Sequence, residues 1–181
     1  MRTGFATDMH RFPNAIWVPS PHFDARPTNE VSLLVVHAIA LPPGGVSPLP
    51  VLSFFQGELV PEADPYFQQI ADLRVSAHCV IDRNGQIYQC VDFNQRAWHA
   101  GVSTYQGREA CNDFSVGVEL IGPEEGPFTE SQIQALGSIA RYLITHYGLK
   151  VSNIVGHRDI APGRKVDPGA DFPYAMLRTL L

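Results

Sequence analysis

A nearly continuous run of apolar and β-branched residues at positions 31–39, VSLLVVHAI, constrains the fold of this chain more than any other feature. The run lacks the alternation of a strand with one solvated face, so it predicts a strand that is covered on both faces. His37 lies near its end, and the proline- and glycine-rich segment 42–65 follows. Proline cannot donate to a sheet and glycine permits sharp turns. We therefore expect His37 where the sheet opens into loops, with 42–65 forming a short helix and loop beside it.

Two other segments predict further strands. Residues 75–82 and 86–91 flank Asn84-Gly85, a pair that accepts the positive φ angles of a tight primed turn, so they predict a β-hairpin. In residues 115–121 polar or small residues alternate with larger apolar ones. This period of two predicts a strand that carries Glu119 on the face opposite the larger apolar side chains.

The C-terminal part of the sequence changes to a helical period. Apolar residues from Thr129 to Tyr147 recur on one helical face, Thr129 and Gln132 can form a capping box, and Gly148 can end the helix. A short strand at 151–156 and a terminal helix from Tyr174 complete the pattern. We predict an α/β fold in one domain, residues 1–181, with a mixed central β-sheet flanked by α-helices.

Composition and charge exclude several function classes. A net charge of −5 argues against a nucleic-acid partner, which requires a basic face. The sequence has no apolar run near the roughly 18 residues that cross a membrane, and its first twenty residues lack the apolar stretch of a secretory signal. The three cysteines form no C-x-x-C pair, so they read as reduced and buried. We expect a cytoplasmic protein without a membrane partner.

Residues of the segment 156–169 have the chemistry of a hydrolytic zinc site. His157 and Asp167 offer an imidazole and a carboxylate on one loop rich in proline and glycine. A catalytic zinc ion normally takes three protein ligands and leaves one position for water. His37 is the best candidate for the third ligand. A single histidine is more often bonded to a backbone carbonyl, but the three residues together favour a metal site.

Glu119 and Lys165 are the candidate catalytic residues. An ionised glutamate is costly to bury in an apolar strand, so Glu119 is either a surface carboxylate on an edge strand or a functional group. Beside a metal it would act as the general base for water. Lys165 lies two residues before Asp167 and projects to the same side in an extended loop, where it would stabilise an oxyanion. Its ordinary alternative is a solvated surface lysine.

Five segments together give the chain a family resemblance. It resembles the zinc-dependent N-acetylmuramoyl-L-alanine amidases, above all the cytoplasmic AmpD type, whose fold the peptidoglycan recognition proteins share. The similarity runs in the same order from about Pro19 to the C-terminus. The segments that carry it are LVVH at 34–37, VSAHC at 75–79, RAWHAGVS at 96–103, CNDFSVGVEL at 111–120 and GHRDIAPGRKVDPG at 156–169.

The resemblance implies a reaction and assigns the residues that perform it. It makes His37, His157 and Asp167 the ligands of Zn²⁺, Glu119 the proton acceptor and Lys165 the group that stabilises the transition state. The reaction is hydrolysis of the amide between the lactyl group of 1,6-anhydro-N-acetylmuramic acid and L-alanine, during cell-wall recycling. The partner implied is a small muropeptide, and we expect the enzyme to be a monomer.

The same resemblance suggests substrate contacts. Stem-peptide carboxylates can be bound bidentately by arginine, for which Arg74 and Arg108 are candidates. Trp98 and His99, in the Trp-His-Ala-Gly motif, are candidates for the sugar side of the cleft. One departure stands out, because the AmpD pattern has asparagine after the first histidine ligand and this chain has Ala38. That exchange removes an amide that can bind the substrate backbone, so it puts substrate preference in doubt.

Two other functions compete with this interpretation. The first is a peptidoglycan-binding module without catalysis, which usually lacks one of the ligand residues; here all three are present. The second is an amidase that acts on polymeric peptidoglycan outside the cytoplasm, against which the missing signal sequence speaks. Segment 46–53 matches the family only loosely, so the wall of the cleft there is expected to differ.

Overall fold

A mixed β-sheet organises the computed structural model, which describes residues 10–181. The strands in this part of the chain are β1 (Ile16–Trp17), β2 (Phe23–Ala25), β3 (Leu33–Ile39), β4 (Cys79–Ile81), β5 (Ile87–Gln89), β6 (Gln95–Ala97), β7 (Thr104–Tyr105), β8 (Arg108–Glu109), β9 (Ser115–Ile121) and β10 (Ile154–Gly156). The α-helices are α1 (Leu49–Gln56), α2 (Pro65–Ile70), α3 (Glu130–Tyr147), α4 (His157–Ile160) and α5 (Tyr174–Thr179).

The strand order of the main sheet is β1-β5-β4-β9-β3-β10 within the described residues. Strands β4, β9, β3 and β10 run parallel, β5 pairs antiparallel with β4, and β1 is parallel to β5. Strand β3 is buried along nearly its whole length, and β9 along all of it. The predicted mixed sheet with a strand covered on both faces is therefore confirmed.

Helix α3 covers one face of this sheet. Its N-terminus carries the predicted capping box, since Gln132 N–H donates to Thr129 Oγ1 (3.1 Å) and Thr129 N–H donates to Gln132 Oε1 (3.0 Å). Gly148 ends the helix in the left-handed conformation. The apolar stripe of the helix packs with the larger apolar side chains of β3 and β9. The buried members of this core include Leu34, Val36, Val116, Val118, Leu120, Ile133, Leu136, Ile139 and Leu143.

The turn of the predicted hairpin differs from the expectation. Strands β4 and β5 do pair antiparallel. Of the residues Asn84 and Gly85, however, only Gly85 has a positive φ (86°), so the two-residue primed turn is wrong. The carboxylate of Asp82 accepts from the N–H groups of Asn84 (2.8 Å) and Gln86 (2.9 Å) and holds a wider turn instead.

One segment around the sheet is shorter than the sequence suggested, and two others agree with the prediction. The strand predicted at 151–156 is limited to β10, because residues Val151–Asn153 form a 3₁₀ turn. Segment 42–65 contains α1 and a 3₁₀ turn at Pro61–Ala63, which agrees with the predicted short helix and loop, and the terminal helix from Tyr174 is also confirmed.

The described residues include no helix with the length and apolar character that crossing a bilayer requires. The cysteines Cys79, Cys90 and Cys111 are free and buried, as expected. Two expectations fall partly on residues 1–9, which lie outside the described residues: the absence of a signal in the first twenty residues, and the extension of the domain to residue 1.

Candidate metal centre and active site

The register of three neighbouring strands brings distant residues to one end of the sheet. Gly156 of β10 pairs with Val36 of β3, and both strands are parallel, so His157 and His37 each follow a paired residue. On the other side of β3, His37 pairs directly with Glu119 of β9. Side chains alternate between faces along a strand, so paired residues of parallel strands project to the same face. His37 and Glu119 therefore share the face opposite α3.

Asp167 reaches the same place from the loop after α4. The N–H of Arg158 donates to the backbone carbonyl of Asp167 (2.8 Å), which ties the loop to the start of that helix. The N–H of Ala38 donates to Asp167 Oδ2 at 3.3 Å. These bonds hold the carboxylate beside β3, next to His37.

The three predicted ligands converge, and all are buried. His37 Nδ1 and His157 Nδ1 are 2.9 Å apart, His157 Nδ1 is 3.3 Å from Asp167 Oδ2, and His37 Nδ1 is 3.5 Å from the same oxygen. Nitrogen and oxygen ligands about 2.0–2.1 Å from a tetrahedral zinc ion are about 3.3 Å from one another. The spacing of the three atoms therefore fits one such ion.

The hydrogen bonds of His157 leave its Nδ1 as an acceptor within this group of atoms. His157 Nε2 lies 3.2 Å from the carbonyl oxygen of Ala100, which can only accept, so the ring proton is on Nε2. The lone pair of Nδ1 then points at His37 Nδ1 and at the carboxylate of Asp167. Converging acceptors repel one another unless a positive charge lies among them, so these three residues are suited to hold a divalent ion.

Burial also keeps the ligand groups in the protonation states that metal binding needs. Desolvation lowers the pKa of His37 to about 4, so the imidazole is neutral near pH 7. Burial by itself would raise the pKa of Asp167, but the close contacts of its carboxylate with the rings of His157 and His37 outweigh burial and lower the pKa well below its usual value. The centre thus offers a neutral imidazole at His37 and an ionised carboxylate at Asp167.

Glu119 lies beside this centre with one free oxygen. Its side chain is buried (8% exposed), and among the described residues none forms a hydrogen bond with Oε2. Desolvation raises the pKa of Glu119 well above its usual value, the negative charge of Asp167 raises it further, and the ammonium of Lys165 opposes this shift. An unpaired carboxyl oxygen with a raised pKa is suited to accept and return a proton.

A cavity of about 680 Å³ opens over the centre. This volume is in the range of small-molecule sites. Glu119, Lys165 and the three converging residues line this cavity. Residues of α1 form part of one wall, as predicted for segment 42–65, and residues of α2, which the prediction did not include, complete it. The wall residues include Phe54, Phe55, Tyr66 and Ile70.

Of the four predicted substrate contacts, Trp98 and His99 line the cavity and Arg74 lies at its edge. The indole of Trp98 is partly exposed and stacks on the ring of His22 (centroids 6.1 Å apart). Arg74 is exposed between Leu73 and Val75, which both line the cavity, and its guanidinium donates to the carbonyl of Leu73 at 3.2 Å. The binding roles of both residues stay predictions.

His99 lines the cavity, as expected, and its ring also has partners within the protein. Its Nδ1 lies 2.9 Å from His37 Nε2 and its Nε2 lies 3.1 Å from Ser115 Oγ. Both ring nitrogens are therefore bonded within the protein. The place of His99 on the sugar side of the cleft stays a prediction.

The predicted substrate contact of Arg108 needs correction, since Arg108 is not among the residues that line the cavity. Its guanidinium forms a bidentate pair with Glu30 (2.8 and 3.0 Å) and lies over the ring of Phe114 (3.9 Å). Glu30 precedes the first residue of β3, whereas His37 lies near the other end of that strand. A role of Arg108 in binding a substrate carboxylate is not supported, because a carboxylate of the chain already neutralises it.

Ser115 and Gly117 were not predicted as part of the site, although the sequence of β9 contained an indication of it. The period of two in β9 places both residues on the face of Glu119. A Cβ added at Gly117 would lie 2.4 Å from Cγ of His99, so only glycine allows the imidazole to lie against the strand. Two small residues in line with a buried glutamate indicated that something packs there, but the sequence could not show that it is His99.

Comparison with known proteins gives one family. A family model described as N-acetylmuramoyl-L-alanine amidase matches residues 27–170. The 1,6-anhydro-N-acetylmuramyl-L-alanine amidase AmpD of Citrobacter freundii is 53% identical over 165 residues, which cover 91% of this chain and 88% of that protein.

Two solved structures extend the comparison. A crystal structure of a selenomethionine AmpD derivative superposes with a TM-score of 0.93 at 51% identity, covering 96% of this chain and 98% of that one. The amidase AmiD of Escherichia coli, in complex with the substrate anhydro-N-acetylmuramic acid-L-Ala-D-gamma-Glu-L-Lys, superposes with a TM-score of 0.62 at 31% identity, covering 83% of this chain and 57% of that one.

Proposed function

The chain belongs to the N-acetylmuramoyl-L-alanine amidase family, and we propose that it hydrolyses the amide between the lactyl group of 1,6-anhydro-N-acetylmuramic acid and L-alanine in small muropeptides. The identity to enzymes with that name supports the substrate. The observation that carries the proposal is the convergence of His37, His157 and Asp167 on one point, beside the unpaired oxygen of Glu119. The product would be a free stem peptide that begins with L-alanine.

We assign His37, His157 and Asp167 as the ligands of a zinc ion. Their separations fit tetrahedral coordination, and their hydrogen bonds leave both Nδ1 atoms as acceptors. When it is bound, zinc supplies a Lewis acid that activates water and polarises a carbonyl. The cavity above the ligands gives a substrate amide access to that position.

Glu119 moves the proton in this proposal. Its free Oε2 accepts a proton from the water that attacks the lactyl carbonyl. The raised pKa lets the carboxyl group hold that proton until the C–N bond breaks, and Glu119 then delivers it to the leaving nitrogen of L-alanine. The ammonium of Lys165 faces the same cavity, where it donates to the oxyanion of the tetrahedral adduct.

The cavity walls supply the substrate contacts that we propose. The exposed part of Trp98 offers an aromatic face to the sugar ring. Arg74, at the edge of the cavity, is placed to reach a carboxylate of the stem peptide. We also propose that the enzyme works as a monomer in the cytoplasm, a location to which its free, buried cysteines are suited.

Mass spectrometry of the reaction products tests this function. The purified protein is incubated with an anhydromuropeptide, and separately with intact sacculi, with and without a chelator. We expect the anhydro sugar and an L-alanyl peptide to be released from the muropeptide, no release with the chelator, and recovery when zinc is added back. A zinc-loaded protein that binds the muropeptide without cleaving it would instead be a binding module. Preferential cleavage of sacculi would indicate an amidase for polymeric peptidoglycan.

A further inference from the structure

We propose that His99 is a positioning residue that fixes the proton of His37 on Nε2 and so keeps Nδ1 available for the metal. The inference rests on the proposed zinc site. It assigns His99 to a chain of hydrogen bonds that runs from His37 through His99 and Ser115 to the backbone carbonyl of Cys111.

The backbone carbonyl of Cys111, at the end of this series of hydrogen bonds, determines which atom donates in each of them. Ser115 Oγ is 2.6 Å from the carbonyl oxygen of Cys111, which can only accept, so the hydroxyl proton points there. Ser115 Oγ is then left to accept from His99 Nε2 at 3.1 Å. With its proton on Nε2, His99 presents a lone pair on Nδ1.

That lone pair determines the tautomer of His37. His99 Nδ1 lies 2.9 Å from His37 Nε2, so the bond requires the proton of His37 on Nε2. His37 Nδ1 is thereby an acceptor directed at His157 and Asp167. The ring that binds a metal usually donates its other N–H to a fixed acceptor, which orients it and raises its basicity.

Different hydrogen bonds leave Nδ1 of His157 and Nδ1 of His37 as acceptors. His157 donates from Nε2 directly to the carbonyl of Ala100, at 3.2 Å. Among residues 10–181, no backbone carbonyl accepts from Nε2 of His37. This nitrogen is instead connected to the carbonyl of Cys111 through His99 and Ser115. Both routes end on a backbone oxygen, so both Nδ1 atoms are directed at the same point.

Packing holds His99 in place for this task. Its ring is buried against Gly117, where a Cβ would lie 2.4 Å from Cγ and 2.6 Å from Nδ1. The N–H groups of His99 and Ala100 donate to Oδ1 of Asn112, at 3.1 and 2.8 Å, which anchors the backbone on the other side. A ring held on both sides cannot turn away from His37.

The test compares three variants by two measurements that do not depend on turnover. His99→Leu removes the acceptor, His99→Asn keeps an acceptor near the position of Nδ1, and Ser115→Ala removes only the far end of the chain. His146→Leu, at an exposed position of α3, is the matched control. Zinc affinity is measured by competition with a chelator. The ¹⁵N shifts of the imidazoles in the metal-free protein report the tautomers.

We expect wild type and His146→Leu to bind zinc equally and to show His37 protonated on Nε2. His99→Leu should weaken zinc binding about 10- to 100-fold, in the range found when such supporting bonds are removed. His99→Asn should recover part of this loss, and Ser115→Ala should give a mixture of His99 tautomers.

Two results separate the failure of this inference from the failure of the proposed function. A wild-type protein that binds no zinc would refute the metal site itself. The role of His99 alone would be overturned if the wild type binds zinc and a folded His99→Leu variant binds it with the same affinity and shows the same His37 tautomer. If His99→Leu does not fold, the Ser115→Ala variant provides the test. Unchanged ¹⁵N shifts of His99 and His37 in that variant would overturn the proposed series of hydrogen bonds.

Discussion

At the scale of single residues, the site depends on atoms that have no hydrogen-bond partner outside the site within residues 10–181. Each imidazole uses Nε2 for a bond within the fold, which leaves Nδ1 of His37 and His157 directed at Asp167. Glu119 keeps Oε2 free in the same way. Burying such groups is costly in a chain that does not use them, so their presence together favours a binding and catalytic role.

Replacing Glu119 separates catalysis from metal binding. In Glu119→Ala we expect zinc to stay bound, because none of the assigned ligands is changed, and turnover to fall about 10²–10⁴-fold with the loss of the proton acceptor. Zinc content and the rate of peptide release are measured on the same sample. Unchanged turnover with zinc bound would refute the role of Glu119.

Gly117 gives a second prediction at this scale. Gly117→Ala should displace His99 and weaken zinc binding, because the new methyl group overlaps the imidazole. Gly137→Ala in α3 is the matched control, since the three atoms nearest its methyl group would all belong to the side chain of Leu180. Zinc competition is the measurement. Equal affinities of Gly117→Ala and Gly137→Ala would show that His99 can move without consequence.

At the scale of elements, long segments could be predicted from the sequence and short ones could not. Strands β3 and β9 and helix α3 follow from their own periodicity, and the cap of Thr129 and Gln132 from local chemistry. Strands of two or three residues, such as β1 and β7, form only because a partner strand is adjacent, which a local pattern does not report. The hairpin turn was missed because Asp82 competes for the N–H groups of the turn.

The capping box of α3 allows a stability test that leaves the site untouched. Thr129→Ala should lower the free energy of unfolding by about 1 kcal/mol, since the N–H of Gln132 loses its acceptor. Thr145→Ala, at an exposed position within the same helix, is the control and should change it little. Urea unfolding measures both. Equal midpoints for the two variants would show that the cap does not stabilise the helix in this protein.

At the scale of the whole molecule, the parallel sheet explains how residues distant in sequence meet. The register of β10, β3 and β9 sets His157, His37 and Glu119 side by side, and the loop after α4 adds Asp167. The residue types of this set were predictable from the sequence, since each has a chemical reason to be there. The position of Arg108 was not, because its pairing with Glu30 joins two segments that no local pattern connects.

Several histidines are buried in this region, which predicts how stability depends on pH. Burial lowers the pKa of His37 to about 4 and those of His78 and His99 well below the usual value, so these rings stay neutral in the folded protein. The unfolded chain takes up the protons of these three rings near pH 6.5, whereas the raised pKa of Glu119 leaves at most one extra proton on the folded protein. The unfolded chain therefore binds more protons in total. Stability is then fully present above that pH and is lost as the pH falls from about 6.5 towards 4.

Urea unfolding of the metal-free protein at several pH values checks this prediction. Each histidine that protonates only on unfolding contributes a slope of up to about 1.4 kcal/mol per pH unit. We expect the free energy of unfolding to decrease steadily between about pH 6.5 and pH 5. A constant value across this interval would show that the buried rings are already protonated in the folded protein.

The central claim is that His37, His157 and Asp167 hold one zinc ion beside Glu119. Anomalous diffraction at the zinc absorption edge, from crystals of the zinc-loaded protein, tests it most directly. We expect a single strong peak about 2.0–2.1 Å from Nδ1 of each histidine and from one carboxylate oxygen of Asp167, with Glu119 near the ion but not bound to it. A zinc peak bound by other residues, or no peak at this point in loaded crystals, would contradict the account.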